Sequence, residues 1–337
     1  DQGNHIGLPL RILDPACGSG SFLLGAYQLL LDHHLNWYMA HRDEKGMQNR
    51  IYESATGWRL TTAEKKRILL AHIFGVDIDR QAVEVTKLSL LLKVLEGENQ
   101  ETLGKQLALF KERALPNLDA NIRCGNSLIG TDYFAGHLMP DADELRRINP
   151  FDWAREFPDA MRAGGFDVVI GNPPWGADFD ATEQDCVREY YAVGRNSNLD
   201  SYAVFMERAI KLLKLNGMLG YITPDTFLRK DDHLPTRKFL FGENTVEELI
   251  EAGPLFSKVR DTWCLITTIA KAKPSEEHTI KHRKISRFVV SVERRLEKFG
   301  KGDLDSEERV RQSVWMQRPN LVVGYRASET EQRIVAK

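Results

Sequence analysis

The stretch GNPPW, which begins at Gly171, directly follows the apolar run FDVVI of residues 166–170. Two consecutive prolines cannot donate to a β-ladder, so a strand that reaches them must end. Asn172 then offers a side-chain oxygen, Pro173 offers a carbonyl on a rigid backbone, and Trp175 offers a flat aromatic face. Two acceptors close together complement an –NH2 group, and the tryptophan can stack on the ring that carries it. A simple turn explains the prolines but not the asparagine and tryptophan together.

A second stretch, LDPACGSGSF at residues 13–22, places glycines directly after an apolar segment. Asp14 would end a strand there, and Gly18 and Gly20 would lie in the turn before a helix. Small residues in such a turn let a ligand approach the backbone, although a plain glycine-rich turn has the same composition. The stretch is neither the G-x-G-x-x-G dinucleotide motif nor a P-loop, so it argues against a bound triphosphate.

The stretch GVDID at residues 75–79 ends another predicted strand with acidic residues. A carboxylate in that position, here Asp77, can accept both hydroxyls of a ribose, and Ile78 can pack on a nucleobase. Asp79 precedes the helical pattern RQAVEV and is more simply a helix N-cap. One carboxylate is therefore assigned to the cap, and the other is free to bind.

The stretch RCGNSL at residues 123–128 follows a short predicted strand. Asn126, with Ser127 beside it, can hydrogen-bond the edge of a purine. A turn asparagine without a ligand fits the same pattern equally well when the stretch is taken alone.

Strand-like and helix-like segments alternate along the first half of the chain. Continuous apolar runs predict strands, and apolar residues spaced three and four apart predict helices. The predicted strands lie within residues 10–16, 121–128, 166–172, 218–223, 246–252 and 262–272, and the predicted helices within 20–35, 80–97 and 201–217. Residues 68–78 are predicted to be the end of a helix followed by a short strand. This alternation is typical of a mostly parallel sheet with helices on both faces.

Three polar stretches interrupt the alternation, at residues 36–67, 129–165 and 176–200. Insertions of this length in a compact domain are usually functional or mobile. The first contains AEKK at residues 63–66, which we interpret as the solvated face of a helix and not as part of a nuclease motif. From about residue 273 the chain is basic and polar, which predicts a linker or the start of a further region.

The composition is that of an ordinary globular protein, with 337 residues, a formal charge of −2, 42% hydrophobic and 28% charged residues. The near-neutral net charge argues against a protein that binds nucleic acid over most of its surface, but it is compatible with a local basic cleft. The four scattered cysteines lack the spacing of a zinc site or a redox pair, so we expect no metal, reduced thiols and a cytoplasmic location. No apolar run approaches the roughly 20 residues that span a bilayer. The start lacks a methionine and a signal peptide, which predicts a fragment of a longer protein.

In this order, the motifs DPACGSGSF, GVDID, GNSL and GNPPW resemble the gamma-class N6-adenine DNA methyltransferases that use S-adenosylmethionine. More closely, they are similar to the methyltransferase part of type IIG restriction-modification enzymes. The resemblance covers roughly residues 10–272. It is extended by NLDSYAVFMERAIKLLK at 198–214, NGMLGYITPDTFL at 216–228 and GPLFSKVRDTWCLITTIA at 253–270.

The resemblance implies an α/β fold of the doubly wound, Rossmann-like methyltransferase type. Its sheet would have seven strands, mostly parallel, with an antiparallel strand. The catalytic domain would span residues 1–272, and residues 273–337 would be a linker or the start of a target-recognition or C-terminal region. Any nuclease and the target-recognition domain are expected outside this chain.

The family's site residues can be carried over by position. The cofactor-binding residues would be Asp14, Ala16, Gly18, Gly20, Asp77, Ile78, Asn126 and Ser127, and the catalytic residues would be Asn172, Pro173, Pro174, Trp175 and Phe256. The turn after Asp14 would hold the methionine part of the cofactor, Asp77 the ribose, and Ile78 the adenine ring. The oxygen of Asn126 would accept from the adenine amino group.

The implied activity is that of a site-specific adenine DNA methyltransferase in a restriction-modification or phage-defence system. Its partner would be double-stranded DNA with a flipped-out adenine. Asn172 and Pro173 would accept the two N–H bonds of N6, and Phe256 would sandwich the base opposite Trp175. No covalent nucleophile is required, so the cysteines need no role.

Two other functions fit part of the pattern. Protein-glutamine N5-methyltransferases also carry N-P-P and bind the same –NH2 geometry, but the insertions at 36–67 and 129–165 and the match at Phe256 favour DNA. A non-catalytic DNA-binding subunit could keep the same fold, although the intact NPPW and DPACGSG argue for turnover.

Overall fold

The computed structural model describes residues 9–44, 47, 49–98, 115–134, 141–195, 199–256, 263–286, 288–289 and 291–322. Parts of the predicted insertions and of the stretch after Phe256 lie outside these described residues, namely 45–46, 48, 135–140, 196–198 and 257–262. The chain divides into two compact units. The first unit contains residues 1–172 and 212–217, and the second unit contains residues 173–211 and 218–337.

The first unit is built on four parallel strands in the order β5–β4–β1–β6. Their bounds are β1 Ile12–Asp14, β4 Ile73–Asp77, β5 Ile122–Cys124 and β6 Phe166–Gly171, and a separate hairpin contains β2 Ile51–Ser54 and β3 Gly57–Leu60. Leu13 of β1 is paired with Phe74 on one side and with Val169 on the other. Because the strands are parallel, their carboxyl ends lie side by side, and each motif of the sequence follows one of those ends.

The helices of the first unit cover this sheet. Their bounds are α1 Ser21–Ala40, α2 Thr62–His72, α3 Arg80–Leu95, α4 Ala142–Ile148, α5 Trp153–Glu156 and α6 Pro158–Arg162. Leu23, Ile68 and Leu90, from three different helices, are fully buried in one core cluster. Each such side chain contributes about 1.5–3 kcal/mol by leaving water. The predicted helices at 20–35 and 80–97 are confirmed.

Three residues of the AEKK stretch at residues 63–66, Glu64, Lys65 and Lys66, are buried, so its interpretation as a solvated face was wrong. Glu64 accepts hydrogen bonds from Arg67 Nη2 at 2.6 Å and from Tyr38 Oη at 2.5 Å. Lys65 Nζ donates to the carbonyl of Glu96 at 3.0 Å. Burial raises the pKa of Glu64, but the hydrogen bonds and charges around it outweigh burial and leave the pKa below its ordinary value. The charged side chains of Glu64 and Lys65 can be buried because residues from other elements supply hydrogen-bond partners for them.

The described residues of the second unit form five strands in the order β7–β9–β8–β10–β11. Their bounds are β7 Leu213–Pro224, β8 Thr245–Gly253, β9 Cys264–Ala270, β10 Thr279–Lys284 and β11 Ser306–Arg311, and β7 begins among residues assigned to the first unit. β9 is antiparallel to both β7 and β8, β10 is parallel to β8, and β11 is antiparallel to β10. The helices are α7 Ala181–Tyr190, α8 Ser201–Leu212, α9 Leu234–Glu243, α10 Val292–Lys301 and α11 Gln312–Met316.

The helix predicted over 201–217 ends five residues early, at Leu212, and β7 follows at once. Lys214 Nζ bonds to Asp167 Oδ1 at 2.6 Å, and a Cβ on Gly165 would collide with the carbonyl of Leu212. These contacts within the first unit hold residues 212–217 beside the start of β6, and the chain is extended there instead of helical.

The predicted α/β fold, with parallel strands and an antiparallel component, is confirmed. The expected number of seven strands was wrong, because the residues that the structure describes form four strands in the first unit, besides its separate hairpin, and five in the second unit. The added strands are β10 and β11, in the basic stretch after residue 273, where β10 pairs with β8. The division into a catalytic domain and a later region stays a prediction. Among the described residues, no helix has the length and apolarity needed to cross a membrane.

Candidate active site

Asp14 is the last residue of β1, and its side chain is 1% exposed. Its Oδ1 accepts a hydrogen bond from the backbone N–H of Ala16 at 3.0 Å. Burial raises the pKa of Asp14 to about 7, the Ala16 N–H opposes that rise, and the nearby Asp77 carboxylate adds to it. A buried carboxyl with this pKa favours a cationic neighbour.

The turn after Asp14 has the backbone that its glycines predict. Gly18 has φ +52° and Gly20 has φ +82°, and a side chain is strained at such angles. The N–H of Gly18 donates to Asp77 Oδ2 at 2.7 Å, and Thr86 Oγ1 donates to the carbonyl of Gly18 at 2.7 Å. A Cβ on Gly20 would lie 2.9 Å from Thr86 Cγ2. The turn is therefore held from α3 through Thr86, a residue that the sequence motifs did not single out.

Asp77 and Ile78 follow the end of β4. Asp77 Oδ2 accepts from the N–H of Gly18, and Asp77 Oδ1 accepts from the N–H of Asp79 at 2.9 Å. Each carboxylate oxygen thus has one donor and can accept a second hydrogen bond. The Ile78 side chain is 54% exposed and offers an open apolar surface. The predicted cap is confirmed, since Asp79 Oδ1 accepts from the N–H of Gln81 at 2.8 Å.

Asn126 and Ser127 follow the end of β5, and both are buried. Asn126 Oδ1 accepts from the N–H groups of Leu128 at 3.0 Å and Ile129 at 3.3 Å. Ser127 Oγ donates to the carbonyl of Pro15 at 2.5 Å, which ties this turn to the one after β1. In this structure two backbone N–H groups occupy the Asn126 oxygen, and its hydrogen bond to an adenine amino group stays a prediction.

Asn172 is the first residue after β6 and the last of this segment of the first unit. The strand end lies close to β1, because a Cβ on Gly171 would stand 2.7 Å from Asp14 Oδ1. Asn172 Oδ1 is buried, and none of the described residues donates a hydrogen bond to it. A buried acceptor left unpaired costs about 1–3 kcal/mol, so this oxygen is suited to a ligand N–H.

Pro173 begins the second unit, and a serine at the start of α8 fixes the turn that follows. Ser201 is fully buried, and its Oγ donates to the carbonyl of Pro174 at 2.6 Å. The same Oγ accepts from the N–H groups of Gly176 at 3.2 Å and Ala177 at 3.0 Å. The sequence motifs missed Ser201, because its only local signal is a position typical of the start of a helix.

Trp175 and Phe256 pack directly on each other in the second unit. Their ring centroids are 5.5 Å apart and their planes are inclined by 69°, an edge-to-face contact. The predicted pair is therefore brought together. A base stacked between two rings needs two van der Waals contacts, roughly 7–8 Å in all, so this arrangement has no room for one. Phe256 is 36% exposed and is the less enclosed of the two.

Arg295 of α10 holds the backbone at the end of β8. The residue is 1% exposed, and it donates from Nη1 to the carbonyl of Ala252 at 2.9 Å and from Nη2 to that of Ser286 at 3.2 Å. Its guanidinium carbon lies 5.6 Å from the centre of the Trp263 ring. The two ends of the connection that contains Phe256 therefore contact one buried arginine, which the sequence pattern alone assigns to a basic, polar stretch.

Comparison with known proteins adds two family matches. Residues 71–256 match the family described as Eco57I restriction-modification methylase, and residues 9–122 match the one described as N-6 DNA Methylase. The two matches together include every predicted site residue.

Among curated proteins, the type II restriction enzyme and methyltransferase RM.Eco57I of Escherichia coli is 35% identical over 72% of this chain and 22% of its own length. The adenine-specific methyltransferase PglX of Streptomyces coelicolor is 26% identical over 75% of this chain and 19% of its own length. The chain thus spans about a fifth of the length of these relatives.

Among solved structures, the ATP-dependent Type ISP restriction-modification enzyme LlaBIII bound to DNA superimposes with a TM-score of 0.61. The alignment covers 98% of this chain and 21% of that one at 14% identity, which supports the fold.

Proposed function

This chain belongs to the Eco57I restriction-modification methylase family, and we propose on that premise that it methylates DNA. The reaction is transfer of the methyl group of S-adenosylmethionine to N6 of an adenine flipped out of double-stranded DNA. The protein acts at specific sites as part of a restriction-modification or phage-defence system in the cytoplasm. The recognition domain and any nuclease belong to other parts of the protein.

One observation carries the proposal. Asn172 Oδ1 is buried after β6 with no donor among the described residues. It follows a strand end that stands beside Asp14. An acceptor that is dry and unpaired costs stability unless a substrate supplies the N–H. The adenine amino group has two N–H bonds and a ring that stacks, and both match Asn172 and the residues after it.

The residues after β1, β4 and β5 fit S-adenosylmethionine. The open glycine turn gives a ligand access to the backbone, Asp14 favours a cation, and Asp77 can accept from ribose hydroxyls. Ile78 offers an exposed apolar face for the adenine. When bound, the cofactor supplies a methyl group on a sulfonium, which is already a good leaving group.

The task left to the chain is to make N6 a better nucleophile. The N6 lone pair is delocalised into the adenine ring and becomes available as the amino group turns pyramidal. Asn172 Oδ1 and the Pro173 carbonyl accept its two N–H bonds and stabilise the positive charge that develops on N6. Burial raises the pKa of the Cys17 thiol, which keeps it neutral, in line with a mechanism that needs no covalent nucleophile.

Trp175 and Phe256 serve the flipped base. Extrusion of a base costs a few kcal/mol, and stacking returns roughly 1–3 kcal/mol per ring contact. Because the two rings touch each other in this structure, Phe256 has to move aside before the base enters. The fixed turn at Ser201 keeps Trp175 in place while it does so.

Methyl transfer by the full-length protein tests the proposal. We expect label from methyl-labelled cofactor to enter unmethylated DNA as N6-methyladenine, and Asn172→Ala to lower the rate by about a hundredfold to a thousandfold. Asn117→Ala is the matched control, since Asn117 is an exposed asparagine that caps a turn. Cofactor binding without label in DNA would sink the proposal, and label in a glutamine side chain instead would identify the protein-glutamine alternative.

A further inference from the structure

His233 is a buried histidine of the second unit that the proposed mechanism does not use. It directly precedes α9, and the residue is 1% exposed. Its Nε2 lies 3.0 Å from Asp200 Oδ2 and 3.3 Å from Tyr202 Oη. Because a carboxylate only accepts hydrogen bonds, Nε2 carries a hydrogen and donates it to Asp200. None of the described residues is hydrogen-bonded to the other ring nitrogen, Nδ1, which is also buried.

The two partners of His233 stand on either side of Ser201 in the sequence, at the start of α8. Ser201 Oγ makes three hydrogen bonds to the turn that contains Trp175. One imidazole N–H therefore faces both neighbours of the serine that fixes this turn. The hydroxyl keeps its three bonds only while the first residues of α8 keep their place, and His233 restrains the residues before and after it.

The segment that carries His233 is itself firmly held. The backbone N–H of His233 donates to the carbonyl of Lys230 at 3.2 Å, and the N–H of Lys230 donates to the carbonyl of Thr226 at 3.0 Å. Arg237, which is fully buried, donates from Nη1 to the same Lys230 carbonyl at 2.7 Å. Thr226 Oγ1 also lies 3.1 Å from Tyr202 Oη. The histidine thus joins the start of α8 to a segment that a buried arginine supports.

We propose that His233 is a positioning residue for the turn that presents Trp175 and the Pro173 carbonyl to the flipped adenine. It acts through Ser201, by anchoring the start of α8. The effect on methyl transfer rests on the proposed function, whereas the anchoring is a property of this unit alone. Groups that must meet a developing charge lose much of their effect when they are misplaced by about 1 Å.

The unpaired Nδ1 argues against a role in packing alone. An apolar side chain of similar size would fill the same space and leave no buried nitrogen without a partner. What the imidazole adds is the Nε2–H directed at Asp200 and Tyr202.

Hydrogen exchange of the full-length protein tests the anchoring directly. The N–H groups of Gly176 and Ala177 bond to Ser201 Oγ, so exchange in a peptide covering residues 173–178 reports on this contact. We expect His233→Leu to speed this exchange by about tenfold, while exchange in β9, which lies between β7 and β8, stays unchanged. His233→Gln places an amide N–H near the position of Nε2 and should restore the wild-type rate. His233→Asn places it near Nδ1 and should not.

Methyl transfer shows whether the anchoring matters for the proposed reaction. With rates normalised to the stoichiometry of cofactor binding, His233→Leu and His233→Asn should lower kcat by about tenfold to a hundredfold, and His233→Gln only a few-fold. Cofactor affinity should be the same in all three. His278→Leu is the matched control, since it removes a histidine that bonds to the carbonyl of Val246 near the beginning of β8. It should leave exchange at residues 173–178 and kcat unchanged.

The outcomes distinguish this inference from the proposed function. Wild-type exchange at residues 173–178 in His233→Leu, or an unchanged kcat despite faster exchange, would overturn the positioning role while the methyltransferase proposal stands. If His233→Leu also exchanges faster in β9, the comparison of His233→Gln with His233→Asn decides, and equal behaviour of these two refutes the role. If wild-type protein transfers no methyl group to DNA, the proposed function is wrong, and the exchange experiment alone decides the anchoring.

Discussion

The residues proposed to bind the cofactor and the residues proposed to stack on the base differ in how far they are already arranged for a ligand. In the first unit, backbone N–H groups hold the side chains of Asp14 and Asp77, as Ala16 does for Asp14 and Gly18 for Asp77. In the second unit, Trp175 and Phe256 fill each other's space. On the proposed function, we therefore expect the cofactor to bind to the structure as it stands, whereas the base requires Phe256 to move first.

The largest effect on ligand affinity is expected from a substitution among the residues that are already arranged for the cofactor. Asp77→Ala removes the acceptor of the Gly18 N–H and the proposed acceptor of the ribose hydroxyls. Charge-assisted hydrogen bonds contribute about 1.5–3 kcal/mol each, so cofactor affinity should fall by about a hundredfold or more. Titration calorimetry with S-adenosylhomocysteine measures it. Asp119→Ala, at an exposed aspartate of the same unit, should change nothing, and wild-type affinity in Asp77→Ala would refute the assignment.

Next in size is the loss of the movable ring. Phe256→Ala should weaken capture of the flipped base by about five- to a hundredfold, in line with roughly 1–3 kcal/mol of stacking, and leave cofactor affinity unchanged. The readout is fluorescence of 2-aminopurine at the target adenine, mapped first from methylated sites in host DNA. Phe299→Ala, at a phenylalanine of similar exposure in the same unit, is the control. Equal fluorescence in wild type and Phe256→Ala would remove the ring from base capture.

A smaller effect is expected from the protonation of Asp14, which should change cofactor affinity by about tenfold per pH unit. Its pKa of about 7, raised mainly by burial, means that the carboxyl is protonated below pH 7 and charged above it. The methionine ammonium group would favour the charged form, so cofactor affinity should fall as the pH drops below 7. The profile should be flatter in Asp14→Asn. A wild-type profile as flat as that of the variant would contradict the assignment.

The raised pKa of Asp14 also predicts how the free energy of unfolding depends on pH. The folded pKa lies above the ordinary value of 3.8, so between pH 4 and 7 the folded state binds the extra proton. The contribution of Asp14 to the free energy of unfolding therefore declines as the pH rises through that window. Chemical denaturation at pH 5 and pH 8 should show wild type losing stability relative to Asp14→Asn.

The smallest effect on chemistry is expected at Arg295. Arg295→Met keeps most of the volume but removes the donors to Ala252 and Ser286, which should lower the free energy of unfolding by about 1–3 kcal/mol. Methyl transfer should fall only a few-fold, and cofactor affinity should not change. Arg294→Met, at the exposed neighbour on the same helix, is the matched control, and equal urea midpoints for the two variants would deny Arg295 this role.

Sequence patterns predicted the strand ends well because local physics sets them. A strand buried on both faces is a continuous apolar run, and glycine or proline must follow where the chain turns. That is why Asp14, Asp77, Asn126 and Asn172 could each be assigned to a strand end, as the structure has them.

What the sequence did not predict depends on partners far away along the chain. Glu64 and Lys65 looked solvated because their partners, among them Tyr38 and Glu96, come from other elements. The two backbone N–H groups at the Asn126 oxygen were not predicted, because a sequence does not show which of two amide atoms faces the backbone. Arg295 looked like part of a basic tail because the carbonyls it binds lie up to 43 residues away.

The outermost strand of the second unit among the described residues is β11, whose sequence is SEERVR. Four of its six residues are charged, and most of its side chains are exposed. An exposed strand offers unpaired backbone groups to any extended peptide, and charged side chains oppose such an addition. A neighbouring domain is therefore expected to attach to this unit by side-chain packing and not by lengthening its sheet, which also protects the unit from edge-to-edge aggregation.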